Sequence, residues 1–217
     1  MLSDHEKMLQ ELAFWAQRVI EIDPGDRILD IGCKDGKLLE FFSKNTVTVG
    51  VDPDRVAVYD GHCKSRLCAG VVTKQFTAQA VSRWQPFKVI LNLQYDGIRG
   101  SLQNNQFWKD VKQLLHKDGV CVVHRNGDIM EWFYNYLLDE HKLEIVGADR
   151  GDYGTRLFIV HKGSQLNGQR LLPNKKAYLE LQLTNLLHES RKTQALKEYW
   201  VGGEGNLPAC PAGRENA

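Results

Sequence analysis

The 217-residue sequence lacks several features that would place it at once in a functional class. It has almost no excess of either charge, with 28 Lys and Arg against 27 Asp and Glu, so bulk electrostatics do not favour nucleic acid or a membrane surface. No apolar run reaches the length of a membrane span, and the N-terminal stretch is too charged for a signal peptide. We therefore expect a cytoplasmic protein with no membrane role.

The sequence also lacks the cysteine patterns of disulfide-rich and zinc-binding proteins. Its five cysteines are an odd number and include no CxxC pair. Cys33 and Cys121 fall in or beside predicted core strands, as small buried thiols do, which indicates a reducing compartment. Cys63 and Cys68 lie near His62, but their spacing fits no zinc template, and we predict no metal site.

What the chain does have is a regular alternation of strand-like and helix-like segments. Short apolar or β-branched runs predict strands, and apolar residues at helical spacing predict helices. The predicted strands are 27–32, 46–52, 67–72, 87–93 and 120–125, and the predicted helices are 4–20, 37–45, 54–66, 77–84, 101–119 and 128–142. Such alternation is typical of a parallel sheet with helices on both faces.

The rhythm changes after the fifth strand–helix unit. Residues 143–162 form two strand-like runs joined by a Gly/Asp-rich turn, which predicts a hairpin. We therefore predict an α/β fold: a three-layer sandwich around a mostly parallel seven-stranded sheet, closed by an antiparallel hairpin. This domain would span residues 1–163, followed by a linker and helical extension at 164–200 and a flexible tail at 201–217.

Four residues are the main sequence evidence for a ligand site. Asp30, Gly32 and Gly36 lie on the first strand and the turn after it, and Asp52 ends the second strand, 20 residues after Gly32. Glycines let a ligand approach the backbone closely, and a carboxylate at the end of the second strand can accept hydrogen bonds from ribose hydroxyls. The pattern indicates a site for a nucleotide-type cofactor.

The same turn lacks the GxGxxG spacing of a dinucleotide site. The order "DIGCKDG" followed by "GVDPD" instead resembles the class I, seven-strand S-adenosylmethionine-dependent methyltransferases. The resemblance extends over residues 25–162, and that family also closes its sheet with an antiparallel hairpin. It implies S-adenosylmethionine as cofactor and methyl transfer as the reaction.

The resemblance also implies site residues position by position. The implied cofactor-binding residues are Asp30, Gly32, Cys33 and Gly36 on the methionine and ribose side, Asp52 and Pro53 at the ribose, and Asn92 and Gln94 near the sulfonium. The chain departs from the family where Lys34 replaces a common glycine. It also departs after the third strand, where no acidic residue is evident and Gln75, Phe76 and Thr77 stand instead.

Three further residues are candidates for catalysis. His124 follows the fifth strand as a candidate general base, and Tyr95 and Asp96 follow the fourth strand as candidates to orient the substrate. Each has a structural alternative. His124 would then be a surface or packed histidine, and Asp96 with Gly97 an ordinary turn.

The sequence is compatible with several functions. The near-neutral charge favours a small-molecule or protein methyl acceptor, with a nucleic-acid acceptor as an alternative. The fold without turnover is another alternative. The helical extension, with leucines at helical spacing over 179–187, would then bind a partner or a second copy. A NAD or nucleotide-sugar enzyme is disfavoured by the missing GxGxxG and by the closing hairpin.

Overall fold

The computed structural model describes Lys7 and residues 22–42, 45–64, 67–92, 104–125, 131–151 and 154–164. The predicted N-terminal helix, apart from Lys7, and the predicted extension and tail beyond Ser164 lie outside these residues. The elements are β1 (Arg27–Ile31), a 3-10 turn (Leu39–Phe41), β2 (Val47–Asp52), α1 (Arg55–Lys64), β3 (Ala69–Val72), α2 (Ala78–Val81) with a 3-10 turn (Ser82–Trp84), β4 (Phe87–Asn92), α3 (Asn105–Leu114), β5 (Leu115–Arg125), α4 (Glu131–Tyr136) with a π turn (Leu137–His141), β6 (Leu143–Gly151) and β7 (Gly154–His161).

The strands form one seven-stranded sheet in the order β3-β2-β1-β4-β5-β7-β6. The pairs among β1 to β5 are parallel, whereas β7 runs antiparallel to both β5 and β6. The strand order reverses direction along the sheet between β1 and β4, the point at which open α/β sheets bind ligands. The predicted α/β fold and its closing hairpin are confirmed.

The central strands form because both of their faces are buried. All six residues of β4 and the last four of β1 are buried, as expected for parallel strands covered by helices on both sides. One face packs against α3 and α4 through Trp108 and Phe133, and the other packs against Leu38, Leu39 and Phe42. Packing on both faces therefore positions the residues at the carboxyl ends of these strands.

The helix predicted over 37–45 is wrong in type and length. The described chain there makes a single 3-10 turn, with successive backbone hydrogen bonds from Leu39 to Gly36 and from Phe42 to Leu39. Side chains three residues apart coincide on a 3-10 turn, so Leu39 and Phe42 are buried together. The apolar residues of this segment follow the 3-10 period rather than the predicted α-helical one.

The helix predicted over 101–119 ends earlier than expected. It ends at Leu114, and Leu115 is already extended and pairs with Phe87 at the start of β5. Gly119, the last residue of the predicted helix, therefore does not end it. A Cβ there would lie 2.9 Å from the carbonyl oxygens of both Phe87 and Lys88, because the β4–β5 register shifts at this point. The glycine permits a close backbone approach.

Within the described residues, the helix predicted over 128–142 is present from Glu131 to His141. It continues from α4 into the π turn, which buries His141 and ends at the left-handed Lys142. None of the helices in the described part of the chain combines the length and the apolar character that crossing a membrane requires.

Candidate functional site

The candidate site lies where β1 and β2 end side by side. Residues 27–31 of β1 pair in parallel register with residues 47–51 of β2, so Asp30 lies opposite Gly50 and Asp52 lies one residue beyond the paired ends. Both carboxyl groups are buried, with Asp30 3% and Asp52 7% exposed. Parallel pairing thus brings together two acidic residues that are 22 positions apart in the sequence.

The turn after β1 is held tightly against β2. The backbone amides of Gly32 and Cys33 both donate to the carbonyl oxygen of Val51, at 2.8 and 3.1 Å, and the amide of Gly36 donates to the carbonyl of Cys33 at 2.8 Å. Gly32, Lys34 and Gly36 all have positive φ values, of 84°, 47° and 73°. Glycine adopts this region freely, whereas lysine rarely does.

Two glycines let neighbouring elements pack directly on this turn. A Cβ at Gly36 would lie 2.6 Å from the side chain of Leu67, which leads into β3. A Cβ at Gly61, on α1, would lie 2.5 Å from the carbonyl oxygen of Asp35. The turn is therefore held by β2, by Leu67 and by α1.

Asp52 joins the turn to the loop that begins α1. Its Oδ2 accepts from the backbone amide of Lys34 at 3.0 Å, and its Oδ1 accepts from the amide of Asp54 at 2.8 Å. Asp54 in turn caps α1, because its Oδ1 accepts from the amides of Val56 and Ala57. An ionised carboxylate has about four acceptor positions, so with respect to the described residues each Asp52 oxygen retains one for a ligand hydroxyl.

Asp30 has a different environment from Asp52. No hydrogen bond to its carboxyl group comes from the residues that the structure describes, and burial together with the nearby charge of Asp52 raises the pKa of Asp30 to about 7. Burial and these two acids also raise the pKa of the Cys33 thiol well above its usual range. Cys33 is therefore a neutral thiol that contributes backbone and packing to the turn, not a nucleophile.

Asn92 lies at the carboxyl end of β4, next to β1. It is fully buried, and neither its amide nitrogen nor its carbonyl oxygen has a hydrogen-bond partner among the described residues. A buried amide in this state costs free energy unless a further group completes its hydrogen bonds.

The strand registers place the candidate residues on two faces of the sheet. Asp30 pairs with Leu91, and Leu91 with Val122, so His124, two residues further along β5, shares the face of Asp30. Asn92 is on the opposite face, in line with Val123. His124 is half-buried and separated from β1 by β4, and its role as a base remains a prediction.

Arg156 is a residue that the sequence reasoning missed. It lies on β7 directly opposite His124 in register and is only 3% exposed. A charged residue inside the apolar run "GTRLFIVH" was the available signal, because a buried arginine needs partners for its charge. It places a fixed positive charge on the same face as Asp30 and His124.

The remaining residues singled out in the sequence lie in a loop, in the core or outside the described residues. Pro53 is exposed in the loop that follows Asp52, and Phe76, after β3, is a core residue that packs against Phe107 with ring centroids 5.9 Å apart. Gln94, Tyr95 and Asp96 lie outside the described residues.

No protein-family model and no curated protein matches the sequence. Among solved structures, the chain is similar to a TehB-like SAM-dependent methyltransferase from Corynebacterium glutamicum, with 18% identity, a TM-score of 0.51 and coverage of 72% of this chain and 86% of that chain. It is also similar to a SAM-dependent methyltransferase from Clostridium acetobutylicum, with 13% identity, a TM-score of 0.51 and coverage of 72% and 90%.

A third similar structure is magnesium protoporphyrin IX methyltransferase from Synechocystis, solved with bound SAM. The identity is 15% and the TM-score 0.53, and the match covers 72% of this chain and 79% of that chain. At such low identities the likeness concerns the fold. With β7 inserted antiparallel between β5 and β6, the chain has the fold of the class I, seven-strand S-adenosylmethionine-dependent methyltransferases.

Proposed function

We propose that this protein binds S-adenosylmethionine at the carboxyl ends of β1, β2 and β4 and transfers its methyl group to an acceptor. Asp52 carries the proposal. One backbone amide donates to each oxygen of its carboxylate, and the described residues leave one acceptor position on each oxygen. Such an arrangement suits two neighbouring ribose hydroxyls, which donate one hydrogen bond each.

The other residues at this edge fit the same ligand. Gly32 and Cys33 present backbone at the end of β1. The amide of Asn92, which has no hydrogen-bond partner among the described residues, offers both a donor and an acceptor at the end of β4. Asp30 supplies a buried carboxyl group that suits a cationic ligand group. The donor and acceptor types therefore match a ligand that combines hydroxyls with positive charge.

Bound S-adenosylmethionine supplies a methyl group on a sulfonium, which is a good leaving group. The protein then has to align the acceptor with that methyl group and exclude water, and these effects supply much of the acceleration. His124, near the end of β5, is the proposed base for an acceptor that must lose a proton. An acceptor that is already nucleophilic needs no such base.

We favour a small molecule or a protein as the acceptor, since the chain carries 28 basic and 27 acidic residues. A second candidate function is cofactor binding without turnover. The exposed Lys34, which occupies a left-handed position in the turn where the resembled family often has glycine, favours it. In that case the extension at 164–200 would act by binding a protein partner or a second copy of the chain.

Transfer of labelled methyl groups tests the proposal. The protein is incubated with methyl-labelled S-adenosylmethionine in three separate reactions, which contain extracted small molecules, proteins or RNA. We expect label in one of the first two pools, and about tenfold less with Asp52→Asn, which replaces an acceptor oxygen by a donor. Asp139→Asn, an exposed carboxyl on the π turn, is the matched control and is expected to keep wild-type transfer.

The outcomes separate the candidate functions. Label in RNA would contradict the preferred acceptor class but keep the methyl-transfer assignment. Cofactor binding without label in any pool would support the non-enzymatic alternative. Absence of both binding and transfer would overturn the proposal.

A further inference from the structure

Lys34 has a backbone conformation that its residue type rarely adopts. In the described part of the chain, Lys34 and Lys142 are the two residues other than glycine with positive φ, at 47° and 56°. Lys142 has a structural reason, because it ends the π turn and its Nζ donates to the carbonyl oxygen of Asp139 at 2.7 Å. Lys34 ends no helix, so a lysine with positive φ at this position needs another reason.

The backbone of Lys34 is fixed while its side chain is exposed. Its amide donates to Asp52 Oδ2 at 3.0 Å, which anchors the residue beside the proposed ribose position. Its side chain extends from the turn into solvent on a long flexible stem. The side chain of Lys34 is therefore free to reach a ligand that binds at this turn.

The turn is rich in acidic residues, and Lys34 is a cation within it that has no ion-pair partner among the described residues. Asp30, Asp35, Asp52 and Asp54 make the turn and the neighbouring loop acidic. Lys37 lies near Asp35, with Nζ and Oδ2 3.7 Å apart. Within the described ranges, no carboxylate lies within ion-pair distance of the Lys34 ammonium group.

An amino-acid group carries both an ammonium and a carboxylate. The acidic side chains of the turn and the neighbouring loop attract the ammonium but repel the carboxylate, so binding of the whole group is helped by a nearby positive charge. We infer that Lys34 binds the carboxylate of the cofactor's amino-acid end and makes the site selective for ligands that carry it. This inference rests on the proposed function and names the residue that reads one end of the cofactor.

Calorimetry with two ligands tests the inference. S-adenosylhomocysteine carries the carboxylate, and its decarboxylated form keeps the ammonium and lacks only that group. We expect wild type to bind S-adenosylhomocysteine the more tightly, and Lys34→Ala to lose about tenfold for it with little change for the decarboxylated form. Lys34→Arg is expected to restore most of the difference, and Lys37→Ala, one residue past Gly36, to leave both affinities unchanged.

The readouts separate this inference from the proposed function. If wild type binds neither ligand, both fail. If wild type binds but Lys34→Ala weakens both ligands equally, or Lys37→Ala has the same effect as Lys34→Ala, carboxylate recognition by Lys34 is overturned while cofactor binding stands. Thermal melting of each variant shows whether the turn has kept its fold.

Discussion

At the residue scale, two acids at neighbouring strand ends differ in what surrounds them. Asp52 has two backbone amides that stabilise its charge, whereas Asp30 is buried with no described donor and the charge of Asp52 close by. The pKa of Asp30 is accordingly raised from 3.8 to about 7. The folded protein keeps a proton on Asp30 that the unfolded chain loses, so this group destabilises the fold increasingly as the pH rises from 4 towards 7.

Asp30→Asn tests this reading through the pH dependence of stability. The amide keeps the shape of the protonated acid but never ionises, so the variant is expected to be more stable than wild type at pH 8, by about 4 kcal/mol. The difference should shrink by roughly 1 kcal/mol for each pH unit between pH 7 and pH 5. Urea unfolding at a series of pH values measures it.

The same substitution should harm function. Loss of the carboxyl group removes the partner for a cationic ligand, so Asp30→Asn is expected to bind S-adenosylhomocysteine more weakly. Asp139→Asn, on the exposed π turn, serves as the control for stability. A difference between Asp30→Asn and wild type that does not change with pH would contradict the assignment of a raised pKa to Asp30.

At the scale of elements, close packing positions the turn after β1. Gly36 and Gly25 both have positive φ values, of 73° and 87°, but they differ in their surroundings. A Cβ at Gly36 would lie 2.6 Å from the buried side chain of Leu67, whereas a Cβ at Gly25 would have no atom within 4 Å. The two glycines therefore separate backbone strain from overpacking.

Gly25→Ala and Gly36→Ala form a matched pair. Gly25→Ala is expected to lower the free energy of unfolding by about 1 kcal/mol, the cost of a left-handed alanine. Gly36→Ala is expected to lower it by about 2–4 kcal/mol, since overpacking against Leu67 adds to that cost. Equal losses in chemical denaturation would show that the turn does not depend on its contact with Leu67.

The elements that were predicted best are those whose apolar pattern fits one type of secondary structure only. The parallel strands were recoverable because both faces of β1 and β4 are buried, which gives continuous apolar runs. The turn at Leu39–Phe41 was not, because buried residues at 38, 39 and 42 satisfy an α-helix and a 3-10 turn alike. The end of α3 was missed for a similar reason, since Leu115 fits both the apolar face of a helix and a buried strand.

At the scale of the whole molecule, topology brings the site together. The positions of Asp30, Asp52 and Asn92 could be predicted, because parallel strands place their carboxyl ends at one edge. The sequence could not show that backbone amides from two different loops hold Asp52, or that Asn92 is buried without a described partner. Nor could it show that Arg156 lies opposite His124, since that depends on the antiparallel register of β5 and β7.

Fold and function therefore depend on different features of the chain. The seven-strand order and its likeness to solved methyltransferases establish the fold. The proposed activity rests on the residues at the carboxyl edge, because one fold serves many functions. The central claim is that this edge holds the cofactor through Asp52.

Calorimetric titration of S-adenosylhomocysteine into wild type, Asp52→Asn and Asp139→Asn tests that claim most directly. We predict micromolar binding to wild type and Asp139→Asn, a free energy of about 8 kcal/mol, and at least about tenfold weaker binding to Asp52→Asn. Thermal melting confirms that each variant is folded. No heat of binding to wild type at millimolar ligand, or equal affinity for Asp52→Asn, would contradict the account.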